Sequence, residues 1–230
     1  MGVELPKTAT LRLIDKCLVE RAKNKQPREY LGCSMVGDEC SRRVWYDYHQ
    51  PDPKYDARLE RIFDAGNMYE EYMIGLLRLA GIKVWDVWGP ENKQYGVSFL
   101  NGGLKGHCDG VGKGFPESDK PHLLEFKSAK NTMFNQLKKK GVKAFSSRYF
   151  YQVQLYMHGL NLEKCFFMAI NKDNKELYAE RIDYDKSEAE FIIGVAEEVL
   201  YNPAPLPRAF KITDYRCKNY CPRYRQCWEL

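Results

Sequence analysis

Gly106-His107-Cys108-Asp109-Gly110 and Leu123-Leu124-Glu125-Phe126-Lys127-Ser128, with fifteen residues between Asp109 and Glu125, are the stretches on which the fold turns. The second is apolar except for Glu125, Lys127 and Ser128, so it reads as a buried strand whose charged residues need partners or a metal. Side chains alternate along a strand, so Glu125 and Lys127 share one face while Phe126 packs on the other. A run over Leu104 to Gly112 reads as the neighbouring strand. If the two pair, Asp109 joins Glu125 and Lys127, and alternation puts His107 on the same face as Asp109.

Two carboxylates and the Phe126 carbonyl form a hard oxygen set that suits Mg2+ or Mn2+ better than zinc. Such an ion serves phosphodiester cleavage, with Lys127 placed to orient or deprotonate the nucleophile.

The rest of the chain frames this segment. Apolar residues recur at helical spacing from Ala57 to Ala80, with Gly81 as the stop. Strands are expected at Ile82 to Trp88, Tyr95 to Leu100, Leu104 to Gly112 and His122 to Ser128, with turns at Gly89-Pro90-Glu91-Asn92, Asn101-Gly102-Gly103 and 114–121. Helices follow over Met133 to Lys140 and Ser147 to Leu160. Strands at Cys165 to Asn171 and Leu177 to Asp183 and a helix over Lys186 to Leu200 complete the core. This order predicts an α/β fold with a central mixed sheet flanked by helices. Three units are expected: an N-terminal helical segment (1–55) containing a helix at Leu11 to Leu18 and a basic connector from Lys23 to Arg28, a core (56–200), and a cysteine-rich tail (201–230) led by Pro203, Pro205 and Pro207.

The 230 residues are 44% apolar and carry a formal charge of +5 with eight cysteines. No stretch is long and apolar enough to span a membrane, and the first residues do not read as a secretion signal, so a cytoplasmic setting with reduced thiols is expected. Lys138, Lys139, Lys140 and Lys143 form a basic run suited to a phosphate backbone, or equally to a solvated helix end.

Gly-x-x-Asp followed by apolar-apolar-Glu-x-Lys resembles the signature of the RecB-type branch of PD-(D/E)XK nucleases. Two further features carry the resemblance: Gln152 and Tyr156 match that branch's Gln-x-x-x-Tyr helix, and Gly66 followed by Glu70 matches its upstream helix, with Glu70 where a histidine is common. The resemblance implies a restriction-endonuclease-like core and a DNA nuclease, more in the manner of an exonuclease than an endonuclease. Glu70, Asp109, Glu125 and the Phe126 carbonyl would hold the metal. Gln152 and Tyr156 would hold DNA or orient Lys127. The resemblance places no demand on His107, which its position next to Asp109 makes a candidate either to support the site's ligands or to contact DNA.

Cys217, Cys221 and Cys227 crowd the tail, and Cys40-Ser41-Arg42-Arg43-Val44-Trp45-Tyr46 resembles the segment supplying a distant fourth cysteine in iron-sulfur members of that branch. The resemblance implies a [4Fe-4S] staple; the spacing alone leaves a four-cysteine zinc site open. Cys33 is the reserve ligand, and Cys17, Cys108 and Cys165 read as small core residues. Phage exonucleases that process DNA to 5′-phosphate products in recombination or replication, with a recombination or helicase partner, are the nearest analogy. The rivals are a CRISPR spacer-trimming nuclease and an inactive DNA-end-binding module.

Overall fold

A computed structural model describes residues 8–26, 28–87, 89 and 93–229. The expected strand end at Trp88, connector residue Pro27 and turn residues Pro90, Glu91 and Asn92 lie outside them. The chain runs α1 (Ala9–Lys23), β1 (Leu31–Gly32), α2 (Cys33–Val36), α3 (Ser41–His49), α4 (Ala57–Leu79), β2 (Lys83–Trp85), β3 (Gly96–Phe99), β4 (Leu104–His107), β5 (Gly110–Lys113), β6 (His122–Ala129), α5 (Asn131–Lys140), α6 (Val142–Phe145), α7 (Ser147–Leu160), β7 (Lys164–Asn171), β8 (Leu177–Asp183), α8 (Lys186–Tyr201) and α9 (Tyr224–Trp228).

A five-stranded mixed sheet in the order β2-β5-β6-β7-β8 forms the centre, with β6 antiparallel to β5 and parallel to β7. Alternation along β6 and β7 sorts their side chains into two layers. Leu124, Phe126, Met168 and Ile170 face α4, where Met73, Ile74 and Leu77 are buried against them. Leu123, Phe167 and Ala169 join Val153 and Met157 of α7 and Ile192 and Val199 of α8. Each face of β6 is therefore covered by helix, which is why its apolar residues run nearly without interruption.

The expected strand from Leu104 to Gly112 is broken at Cys108 and Asp109. Its first half, β4, belongs to a separate three-stranded sheet of order β1-β4-β3, and only β5 enters the central sheet. Gly110 makes the break: its φ is +150°, and a Cβ there would lie 2.8 Å from the carbonyl oxygen of Trp85. Alternation does not carry across this kink, so the shared face expected for His107 and Asp109 is not formed.

Segment 31–49 also packs into the main core, burying Leu31, Val36, Val44, Trp45 and Tyr46. Helix α1, by contrast, buries nothing and is tied to α4 by the Arg21 pairs with Glu60 and Asp64 and by Arg61 with Asp15. Cys17, expected in the core, is accordingly exposed. Cys108 and Cys165 are buried as expected, and burial pushes the Cys108 thiol up to about 12.

Candidate active site

The kink at Cys108 and Asp109 aims the Asp109 side chain at the central strand. The backbone ladder between β5 and β6 pairs Gly110 with Leu124, and one step further the Phe126 N–H donates to Asp109 Oδ2 at 2.6 Å. A residue's N–H and C=O leave an extended strand on the same side. The Phe126 carbonyl therefore points toward the Asp109 side as well.

Glu125 and Lys127 share the face predicted for them. Glu125 is 1% exposed, and its Oε1 accepts a short hydrogen bond from Lys127 Nζ. Its Oε2 is buried without a hydrogen-bond partner. An orphaned carboxylate oxygen in the interior is costly unless a proton or cation meets it. The Lys127 ammonium also sits 5.2 Å from the centre of the Tyr149 ring.

Electrostatics tie Glu70 to the same cluster. Burial, and then the charge of Asp109, push the Glu70 carboxyl up to about 7, while Gln94 donates to its Oε1 at 3.0 Å. Burial pushes Glu125 up to about 8 against the opposing pull of Lys127, and burial raises Asp109 too. Burial alone would lower Lys127, but the Glu125 and Asp109 carboxylates outweigh it and hold the ammonium charged. Three carboxyls crowd one lysine, and burial disfavours the charged form of each.

Of these groups Glu70, Asp109 and Lys127 line a cleft of about 460 Å3 between α4 and the start of α7, while Glu125 lies buried behind its wall. Its walls include Glu70, Asp109, Phe126, Lys127 and Gln152. Gln152 is buried and donates through Nε2 to the Tyr156 hydroxyl at 3.2 Å, the four-residue helical spacing bringing the two together. Tyr156 lies outside this cleft, against Gly106: a Cβ on Gly106 would come within 2.6 Å of the Tyr156 ring. Burial raises the Tyr156 phenol far above neutrality, so it stays a neutral hydroxyl.

His107 is exposed and lines a neighbouring pocket with Lys105, Gln94, Gln152 and Tyr156. Lys138, Lys139 and Lys140 are exposed in the last turn of α5, where Lys138 pairs with Glu176; Lys143 pairs with Glu188 at 2.7 Å. Sequence reading missed Ser34, Arg148 and Tyr149, which also line the cleft. Arg148 and Tyr149 precede Gln152 by four and three residues on α7, so helical spacing from Gln152 could have found them.

Among the described residues, no three His, Cys, Asp or Glu side chains are drawn together as closely as a bound ion would hold them. The donor set nonetheless fits a hard divalent cation: Glu125 Oε2 has no partner, Asp109 and Glu70 face the same cleft, and burial raises the pKa of both, as expected of carboxyls that a bound cation would stabilise in the charged form.

Cys40, Cys217, Cys221 and Cys227 line one narrow pocket where the tail meets α3. Cys217 feels the charges of the other three. Arg223 holds Asp47 at 2.7 Å, Gln226 bonds Gln50, and Arg216 reaches Glu39 at 3.0 Å, fixing tail to N-terminal segment. Four thiols around one pocket suit a thiophilic centre, whether iron-sulfur or zinc. Cys33, the expected reserve, is buried in the main core beside Gly106 instead, with its thiol pushed up to about 12 by burial.

The chain has the mixed α/β fold of the alkaline exonucleases, with a central mixed sheet flanked by helices. The crystal structure of the alkaline exonuclease LHK-Exo from Laribacter hongkongensis aligns over 80% of this chain and 90% of that one, with a TM-score of 0.52 and 17% identity. That of SSO0001 aligns over 92% of both chains, with a TM-score of 0.55 and 18% identity. No protein-family model and no curated protein matches the chain. No helix among the described residues is long and apolar enough to cross a membrane.

Proposed function

We propose that this protein is a Mg2+- or Mn2+-dependent deoxyribonuclease that works from DNA ends and leaves 5′-phosphate products. The observation that carries this reading is the meeting of Asp109, Glu125 and Lys127 at the kink beside β6, with the Glu125 Oε2 orphaned toward no protein donor. The shared fold with an alkaline exonuclease agrees with it.

Asp109, Glu125, Glu70 and the Phe126 carbonyl are the groups that would hold the ion. Bound there, it would polarise a phosphodiester and lower the pKa of an attacking water. Lys127, kept charged by its carboxylate neighbours, supplies a cation at the reacting phosphate and orients the nucleophile through its ammonium hydrogens. Gln152 closes the wall of the cleft beside it, held by its bond to Tyr156. The Asp109 bond to the Phe126 amide fixes one carboxylate to the strand that carries the other two groups, so the constellation is set before substrate arrives.

The four cysteines are proposed to hold a [4Fe-4S] cluster, or else zinc, as a staple between tail and N-terminal segment. DNA is the partner, with His107 and the lysines of 138–143 as proposed backbone contacts. The deciding test is degradation of end-labelled linear and circular DNA with and without Mg2+ or Mn2+, beside Lys127→Ala and Glu125→Ala. Metal-dependent loss of linear DNA by the wild type alone supports the reading; DNA binding without cleavage by any version points to an end-binding module.

A further inference from the structure

Helix α4 presents two large apolar side chains to the catalytic cleft that the chemistry above does not use. Phe63 is 51% exposed and Ile62 42%, and of the exposed large hydrophobics among the described residues these two line the cleft with Glu70, Asp109 and Lys127. Met73 and Leu77 of the same helix are buried in the core, and its other exposed large apolar residues, Leu59, Met68, Tyr72 and Leu79, do not line the cleft.

The helical register makes this geometry specific. Phe63, Gly66 or Asn67, and Glu70 follow one another at three- and four-residue steps along one face. Seven residues separate Phe63 from Glu70, about 10.5 Å of helix. Between them Gly66 leaves open space: a Cβ there would meet nothing within 4 Å. Lys25 covers one face of the ring, its ammonium lying over it 5.9 Å from the centre and anchored on Glu60 at 2.8 Å, which leaves the opposite face for a base. An aromatic face thus stands one short gap from the carboxylate end of the cleft, at its rim.

We propose that Ile62 and Phe63 form a nucleobase site, against which an unstacked base of the DNA strand lies while a phosphate one or two nucleotides away meets Glu70, Asp109, Glu125 and Lys127. Every base offers a π-face, so such a platform binds without sequence preference. Bases inside a duplex are already stacked on their neighbours. The site therefore takes a single-stranded or frayed end in preference to a closed duplex. The cleft's 460 Å3 falls within the range of pockets for small ligands, which suits a nucleotide unit and not the width of a double helix. This inference rests on the nuclease reading for its substrate.

The test uses oligonucleotides with 2-aminopurine at each of the last three positions, bound to the full-length Lys127→Ala protein so that nothing is cut. Quenching at one position is expected with Phe63 and with Phe63→Trp, and its loss with Phe63→Leu, which keeps apolar area but removes the ring. In the otherwise wild-type protein, Phe63→Leu should lower kcat/KM on single strands by about 5- to 150-fold, with Phe63→Trp restoring it. Because Phe63 is half exposed, both variants should melt with the wild type. Equal quenching and equal kcat/KM in Phe63→Leu and wild type would overturn the base site while leaving Lys127-dependent cleavage intact. Ring-dependent quenching without cleavage by any version would instead remove the nuclease reading and keep the base site. Failure of every oligonucleotide to bind would remove both.

Discussion

Asp109 Oδ2 accepts the backbone N–H of Phe126 at 2.6 Å, so an aspartate side chain takes over the β6 edge where the β5 ladder ends. This one bond ties the first carboxylate to the strand bearing Glu125 and Lys127, and it makes Asp109 structural and catalytic at once.

The two roles separate by substitution. Asp109→Asn keeps an oxygen acceptor for the Phe126 amide and should fold with near wild-type stability, yet lose about 100-fold or more in cleavage for want of a charged metal ligand. Asp109→Ala leaves that amide without a partner and should cost an additional ~1–3 kcal/mol in urea denaturation. Equal stability of the two variants would show that the bond contributes nothing.

Metal binding should depend on pH in a defined direction. Glu70 is pushed up to about 7 and Glu125 to about 8, above the ordinary value of 4.5. The folded metal-free chain thus binds more protons at these groups than the unfolded chain. Their contribution to stability is present below pH 4.5 and is lost as pH rises through 7 and 8. A divalent cation competes with those protons, so Mg2+ should raise Tm more at pH 8.5 than at pH 6. A shift independent of pH would contradict the placement of the ion on these carboxyls.

His122 sets a second pH dependence, remote from the cleft. It is fully buried against Phe115, its Nδ1 lies 2.9 Å from the Lys120 carbonyl, and its Nε2 has no partner. The contact to a carbonyl assigns the proton to Nδ1, and burial holds the pKa below 6.5. Because the folded value is depressed, the stabilisation is complete above pH 6.5 and falls as the solution is acidified, by up to about 1.4 kcal/mol per pH unit for one proton. His122→Phe should flatten the denaturation midpoint between pH 6.5 and 5; an unchanged slope would assign it to other groups.

The cysteine pocket makes a prediction of its own. Anaerobically purified protein should carry iron and sulfide with visible absorption, or else one zinc per chain, and Cys217→Ser or Cys40→Ser should reduce that content. Either change should also make residues 208–227 more sensitive to protease, since beyond the buried Leu206 the tail would be held largely by polar contacts such as Arg223 with Asp47. Retention of full metal content in both variants would rule out the staple.

Much of this arrangement is legible in the sequence because it depends on local rules. Alternation placed Glu125 and Lys127 opposite Phe126, and helical spacing brought Gln152 to Tyr156. The break after His107 was not legible, since the positive φ of Gly110 answers to the Trp85 carbonyl packed against it from another strand. Short elements such as β1 and α2 have too few residues to show a period, although they bury Leu31 and Val36. Cys17 misled because apolar neighbours on α1 face solvent on a helix held by ion pairs. The cleft wall at Phe63 was hidden because exposure into a cleft and exposure to bulk solvent look alike in a sequence, whereas Arg148 and Tyr149 lay within reach of helical spacing from Gln152.

The most direct measurement is Mg2+-dependent cleavage of end-labelled linear DNA by wild type and Lys127→Ala at equal folded concentration. The site described here predicts conversion of label to short 5′-phosphorylated products by the wild type, abolished by chelator and reduced about 100-fold or more by the substitution. Equal cleavage by Lys127→Ala, or none by either protein while DNA still binds, would contradict a catalytic centre at Asp109, Glu125 and Lys127.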